Sequence, residues 1–272
     1  MTAPHDLRDR LSVKPGTRVR LADVDPAATH GHHKAGAAEA TTRVLDRLSD
    51  LQERLWAEHR HKVLIVLQGI DAAGKGGTIE HVMGAFNPAG AIVTSFKVPT
   101  EPEREHDYLW RVHRHTPGSG GIAVFDRSHY EEVLIVRVHE LVPKGVWSRR
   151  YDQINAFEQL LAEEGTTILK FFLYIDRDEQ RERFQARYDD PTKRWKFKLG
   201  DLEERKRWDD YIAAFEDVLS RTSTAYAPWY LIPANRKWFR NLAVATIIAD
   251  TLDDLAPDYP IDPTIPEGLV IT

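Results

Sequence analysis

The chain has 272 residues, of which 42% are hydrophobic, enough for a sizeable core in one large α/β domain or one domain with arms. It contains no cysteine, which excludes disulfides, thiolate zinc sites and cysteine nucleophiles and fits a reducing compartment. A net charge of −5 argues against a general nucleic-acid coat, and no apolar run reaches membrane-spanning length, so a cytoplasmic protein with local basic sites and no membrane partner is expected.

Residues 1–35 read as an irregular N-terminal arm, punctuated by Pro4, Pro15, Gly16, Pro26 and Gly31 and basic at Arg8, Arg10, Lys14, Arg18 and Arg20. Either it contributes cations to an anionic site or it is a solvated tail. His30, His32 and His33 are metal-ligand types, but without carboxylates close by in the sequence they read as a surface cluster. A domain spanning residues 36–256 follows. Its first helix runs from Ala37 to about His59, with Val44, Leu48, Leu51 and Leu55 forming one apolar stripe.

The next stretch organises the chain. Val63 to Leu67 is a short apolar run of the kind that forms a buried parallel strand. After it come Gly69, Ile70, Asp71, Ala72, Ala73, Gly74, Lys75, Gly76, Gly77 and Thr78, and a helix predicted from Gly76 to Phe86. Strand, glycine loop and helix are the context of a phosphate-binding loop. Its glycines let several backbone N–H groups converge on one anion, the helix start adds partial positive charge, and Lys75 adds a full one. The position after the lysine usually carries a Ser or Thr hydroxyl for magnesium. Here it is Gly76, so another oxygen must serve, and Asp71 is the candidate.

A second strand is predicted at Ala91–Phe96, then a helix from Thr100 to about His115, opened by a capping box of Thr100 and Glu103. Gly121–Phe125 is a third strand ending in Asp126, where the second metal ligand of a phosphate-loop enzyme lies, with Arg127 beside it as a phosphate clamp. His129 invites a general-base role, but a phosphate acceptor is already anionic, which favours a structural one. Helix Tyr151–Glu163, strand Thr167–Ile175 and a helix from Asp178 carrying Arg181, Arg183 and Arg187 follow. The stretch at about 187–202, with Lys193, Arg194 and Lys198 among aromatics, reads as a lid over phosphates, a nucleic-acid stacking surface or a solvated strand, the lid being favoured. A capping box at Asp201 and Glu204 opens a helix burying Trp208, Ile212, Phe215 and Leu219. Ala227–Ile232 is a fifth strand, Asn235 caps the last long helix, and residues 257–272 form a proline-rich tail. The alternation predicts an α/β fold: a parallel sheet of about five strands covered by helices on both faces, with a helical lid.

These motifs together resemble the polyphosphate kinase 2 family. The matching pieces are the phosphate loop, the Phe125-to-Glu131 stretch, the lid from Arg187 to Lys196, and Ser95-to-Thr100 with His106-to-Trp110. The resemblance covers roughly residues 17–255. It implies a P-loop kinase fold and reversible transfer of the terminal phosphoryl group of inorganic polyphosphate to AMP or ADP. Magnesium is the implied metal, with manganese as an alternative, and guanine nucleotides are alternative acceptors. Position by position it implies that Asp71 and Asp126 handle the metal and that Lys75 and Arg127 act on the transferred group. Arg137 joins the phosphate-loop residues in nucleotide binding, and Arg187, Lys193, Arg194 and Lys198 face the polymer. It implies a homo-oligomer, a dimer or tetramer, and no nucleic-acid partner. The motifs look most like the branch accepting both mono- and diphosphates. Read from the residues alone, an ATP-dependent nucleotide kinase and a non-catalytic anion- or nucleic-acid-binding module stay open.

Overall fold

The computed structural model describes residues 7–265 together with Leu269 and Ile271. The first six residues of the predicted arm and most of the end of the predicted tail lie outside the described residues. Six strands form one sheet: β1 (Ser12–Val13), β2 (Lys62–Gln68), β3 (Ala91–Ser95), β4 (Ile122–Asp126), β5 (Thr166–Tyr174) and β6 (Trp229–Pro233). Their order is β1-β6-β5-β2-β4-β3, and all neighbours are parallel except β1 and β6.

Twelve α-helices connect and cover the strands among the described residues: α1 (Leu7–Leu11), α2 (Ala37–Glu58), α3 (Lys75–His81), α4 (Glu101–Arg104), α5 (Trp110–His113), α6 (Ile135–Val138), α7 (Lys144–Trp147), α8 (Arg150–Glu163), α9 (Arg177–Asp189), α10 (Leu199–Lys206), α11 (Trp208–Thr222) and α12 (Lys237–Leu255). On one face of the sheet, Leu48, Leu51 and Leu55 of α2 meet Ala243, Ile247 and Leu252 of α12. On the other, Ile154 and Phe157 of α8 pack with Phe215 and Leu219 of α11. Central strands buried on both sides explain why β2 and β5 read as continuous apolar runs rather than alternating ones.

Several local expectations change. The arm is not irregular: α1 and β1 lie within it, and Leu7, Leu11, Val13 and Leu21 are core residues. The helix predicted from Thr100 to His115 starts on its capping box but stops at Arg104. Asp107 then accepts from the backbone N–H groups of Leu109 and Trp110 and starts a separate turn, as a short acid does when it competes for local donors. The helix expected at Asp201 begins at Leu199 and breaks at Arg207. Glu204 caps nothing; it bonds His139 Nε2 at 2.9 Å and Tyr211 Oη at 2.7 Å. Asn235 likewise leaves the start of α12 and donates to Asp176 Oδ2 at 2.7 Å.

Candidate active site

β2 is flanked by β4 on one side and β5 on the other, so the loops leaving β2 and β4 open a crevice at the carboxyl ends of the strands. Leu67 is in register with Asp126, and Asp126 with Ser95, which sets the strand-end acid and a hydroxyl at one level, where the phosphate loop leaves β2. Ser95 Oγ donates to Asp126 Oδ2 at 3.0 Å, and Arg127 Nη2 donates to Asp71 Oδ1 at 2.8 Å. Ala72 and Arg127 both hold positive φ, 66° and 63°, a conformation that costs energy in non-glycine residues and clusters at functional sites.

Two buried arginines lie against the phosphate loop, and one of them, Arg183, bonds it. Arg183, buried on α9, donates to the carbonyls of Ala72 at 2.9 Å and Ala73 at 2.8 Å, and its other arm reaches Ala234 and Asn235. These bonds pin the carbonyls at the centre of the loop, and the Ala73 N–H closes a turn on Ile70 O at 3.0 Å. Arg240 of α12 is buried under the loop, and a Cβ added at Gly74 (φ 111°) would lie 1.8 Å from its Nη1. Burial and the nearby Arg183 push the Arg240 guanidinium down to about 10. Gln180 adds a bond to Asp71 O at 2.9 Å.

Three clefts meet here. The largest, about 830 Å³, is lined by Asp71, Ala72, Gly74, Lys75, Gly76 and Gly77, by Asp126 and Arg127, and by Arg187 and Lys193 from the lid side. A cleft of about 300 Å³ on the far side of Arg127 has Phe96, Val98, Tyr108 and Val136 among its walls, with Lys97, Arg104 and Arg111. Gly69, Asp71, Arg127, Glu131 and Tyr211 line a smaller one between them. Arg127 borders all three. Burial opposes its charge, but Glu131, Asp71 and Asp126 outweigh that and hold its pKa above the usual guanidinium value. Burial, with Arg127 alongside, lowers Lys75, whose Nζ donates to Gly69 O at 2.7 Å. Glu131 is raised by burial despite Arg127 and Lys75.

Other predicted residues fall elsewhere. Thr78 is buried behind the loop, with no hydrogen-bond partner for its hydroxyl. Arg137 donates to Asp217 Oδ2 at 2.6 Å and Tyr151 Oη at 2.9 Å and lies over the Trp147 ring, in a separate cleft from the phosphate loop. Arg194 bonds Tyr188 O at 2.8 Å, and Lys198 precedes α10; neither lines the large cleft. His129 is buried, its Nε2 3.1 Å from Glu158 Oε1, in a network with Tyr130 and Lys170. Four cleft cations had not been assigned to the site from sequence: Arg183, Lys196, Lys237 and Arg240. Arg183 and Arg187 stand four apart on one helical face, and Lys196 lies in the basic lid, both visible in the sequence; nothing local marks Lys237 or Arg240.

Hard oxygen donors suit magnesium, which takes one or two carboxylates together with phosphate oxygens and water. Asp71 and Asp126, both lining the large cleft, are donors of that kind, and the Ser95 hydroxyl donates to Asp126 and orients it. Among the described residues no cluster of three or more His, Cys, Asp or Glu could hold a metal. His30 and His32 instead pack on the ring of Phe239.

A glycine loop between a central parallel strand and a helix, an acid-arginine pair at the next strand end and a cationic cleft define a phosphate-loop phosphotransferase. Residues 32–260 match the family model described as Polyphosphate kinase 2. The chain is 53% identical over 264 residues to an AMP/ADP-polyphosphate phosphotransferase of Meiothermus ruber, covering 96% of this chain and 99% of that protein. It is 50% identical to an ADP-polyphosphate phosphotransferase of Rhodopseudomonas palustris, over 79% of each chain. The crystal structure of polyphosphate kinase 2 from Arthrobacter aurescens superposes with a TM-score of 0.92 at 44% identity, over 96% of this chain and 93% of that one. The chain belongs to the polyphosphate kinase 2 family, and its fold is that of a P-loop kinase.

Proposed function

We propose that the protein transfers the terminal phosphoryl group of inorganic polyphosphate to ADP and AMP, reversibly and with magnesium. The observation that carries this is the position of Arg127 between two clefts of different chemistry. The large cleft is rich in cations and suits a polymer with one negative charge per phosphate and no base or sugar. The smaller one has the aromatic and apolar walls that suit a nucleoside, with cations for its phosphates. The names of the relatives from Meiothermus ruber and Rhodopseudomonas palustris, and of a GDP-polyphosphate phosphotransferase of Mycolicibacterium smegmatis, support nucleotides as acceptors.

In this reading an oxygen of the acceptor's last phosphate attacks the terminal phosphorus of the polymer. The bridging P–O bond breaks, and the shortened chain leaves as an anion. Lys75 and Arg127 neutralise charge on the transferred group, while Arg187 and Lys193 hold the donor. Magnesium would be held by Asp71 and Asp126 and would neutralise phosphate charge. His129 takes no part, because its ring is buried against Glu158. Action inside the cell fits a chain with no helix, among the described residues, long and apolar enough to cross a membrane.

The test is incubation with magnesium, long-chain polyphosphate and either AMP or ADP, with products resolved chromatographically. ADP should become ATP and AMP should become ADP. Phosphorylation of AMP by ATP alone, with polyphosphate inert, would make the protein an ATP-dependent nucleotide kinase and overturn the reading.

A further inference from the structure

We propose that the segment from Pro26 to Lys34, laid along the start of α12, forms with Arg10 an outer binding site for the distal phosphates of a long polyphosphate chain. This rests on the donor reading above and extends it beyond the cleft.

The large cleft does not end at the lid. Lys237 and Trp238 line its rim, and both belong to the first turn of α12. The arm is fastened to that same turn. Asn235 N donates to Pro26 O at 3.0 Å, and Arg236 Nε donates to Ala27 O at 2.9 Å. The rings of His30 and His32 each lie 5.9 Å from that of Phe239. Cleft, helix start and arm are therefore continuous. Arg10, from the end of α1, stands close enough to His30 and His32 for its charge to help burial lower both.

The charge at this corner is not internally balanced. Nearby Asp9 is paired with Lys14 and Glu39 with Arg43, while Asp25, which accepts from the backbone of Ala27, acts on His30 through its charge, as Glu179 does on Lys237, leaving the cations in excess. Among the described residues, no carboxylate lies within ion-pair distance of Arg10, Lys34, Arg236 or Lys237. Arg10, His33, Lys34 and Arg236 are exposed. At neutral pH His30 and His32 are uncharged and offer ring N–H donors, while the arginines and lysines carry the charge. Exposed cations without carboxylate partners, beginning where a phosphate cleft ends, suit a flexible polyanion long enough to reach them from the cleft.

The experiment compares the wild-type chain with the Arg10→Gln, Lys34→Gln double variant, using long-chain polyphosphate and inorganic tetraphosphate as donors to ADP. The variant's apparent KM for the long chain should rise about threefold to tenfold, the scale of losing two exposed charge contacts. Its kcat, its KM for ADP and its kinetics with tetraphosphate should not move. An Arg10→Lys, Lys34→Arg variant should restore the long-chain KM. Equal KM rises for both donors, or none, would overturn the outer site while leaving the donor reading intact. Failure of the wild-type chain to use either donor would remove the donor reading and the outer site with it.

Discussion

Arg183 gives the sharpest test of how the phosphate loop is held. Arg183→Met keeps the aliphatic stem but removes five donated bonds, four of them to main-chain carbonyls. A buried acceptor left without a donor costs about 1–3 kcal/mol. Taking the low end for each carbonyl, because water can enter from the cleft, gives about 4 kcal/mol. Losing a cation beside Arg240 relieves repulsion and offsets part of this, leaving a net loss of about 3 kcal/mol, a large share of the roughly 5–15 kcal/mol that stabilises a typical domain. Urea unfolding should show that loss. The loop backbone would no longer be pinned, so kcat/KM for polyphosphate should fall about a hundredfold, the scale that a misplacement near 1 Å can cost. Arg183→Lys, which can satisfy one or two carbonyls, should lie between. A variant that loses less than about 1 kcal/mol and keeps kcat/KM within about twofold would show that the loop holds its shape unaided.

Asp71→Asn and Asp126→Asn should each lower turnover about a hundredfold at limiting magnesium, the scale of losing one electrostatic stabiliser. The Asp71–Arg127 pair is partly exposed, so melting should shift by no more than about 1 kcal/mol equivalent, and near-normal turnover in Asp71→Asn would make the loop acid a turn residue only. Lys170 is fully buried and donates to Glu158 Oε2 at 2.5 Å, to Tyr130 Oη and to Thr222 O. Lys170→Met should cost about 3–5 kcal/mol at neutral pH, because it strands a buried carboxylate, and Lys170→Met with Glu158→Leu should recover much of it. The pH dependence has a definite sign. Although burial opposes ionisation of Glu158, Lys170 and His129 hold its pKa below the ordinary carboxylate value, so in the wild type its contribution is present above that value and fades as pH falls through the depressed one. Without Lys170 burial dominates, and the variant's deficit should shrink as the carboxylate protonates; a deficit unchanged between neutral and mildly acidic pH would argue against a stranded charge. In the lid, a Lys193→Ala, Lys198→Ala variant should raise the polyphosphate KM more than the nucleotide KM and flatten its salt dependence. Lys193 should account for most of that effect, since it lines the cleft and Lys198 does not; unaltered polyphosphate kinetics would remove the lid from donor binding.

What the sequence determined by itself is what local chemistry dictates. An apolar run before a glycine-lysine loop admits few backbone courses, so β2, the loop and the helix after it were legible, and so was an acid-arginine pair at the end of β4. Where a side chain had two possible partners, the sequence could not choose. Asp107 took the local N–H groups of Leu109 and Trp110 and started a new turn, whereas Glu204 turned to His139 and Asn235 to Asp176, partners that only folding brought near. The tertiary structure alone decided that Arg137 stands over Trp147 away from the loop, and that Arg240, more than 160 residues downstream, lies beneath Gly74. It also decided that the N-terminal segment joins the sheet and docks on α12. The reason is common to these cases. Residue spacing fixes the local backbone, whereas the environment of a long charged side chain depends on which distant elements the core packs against it.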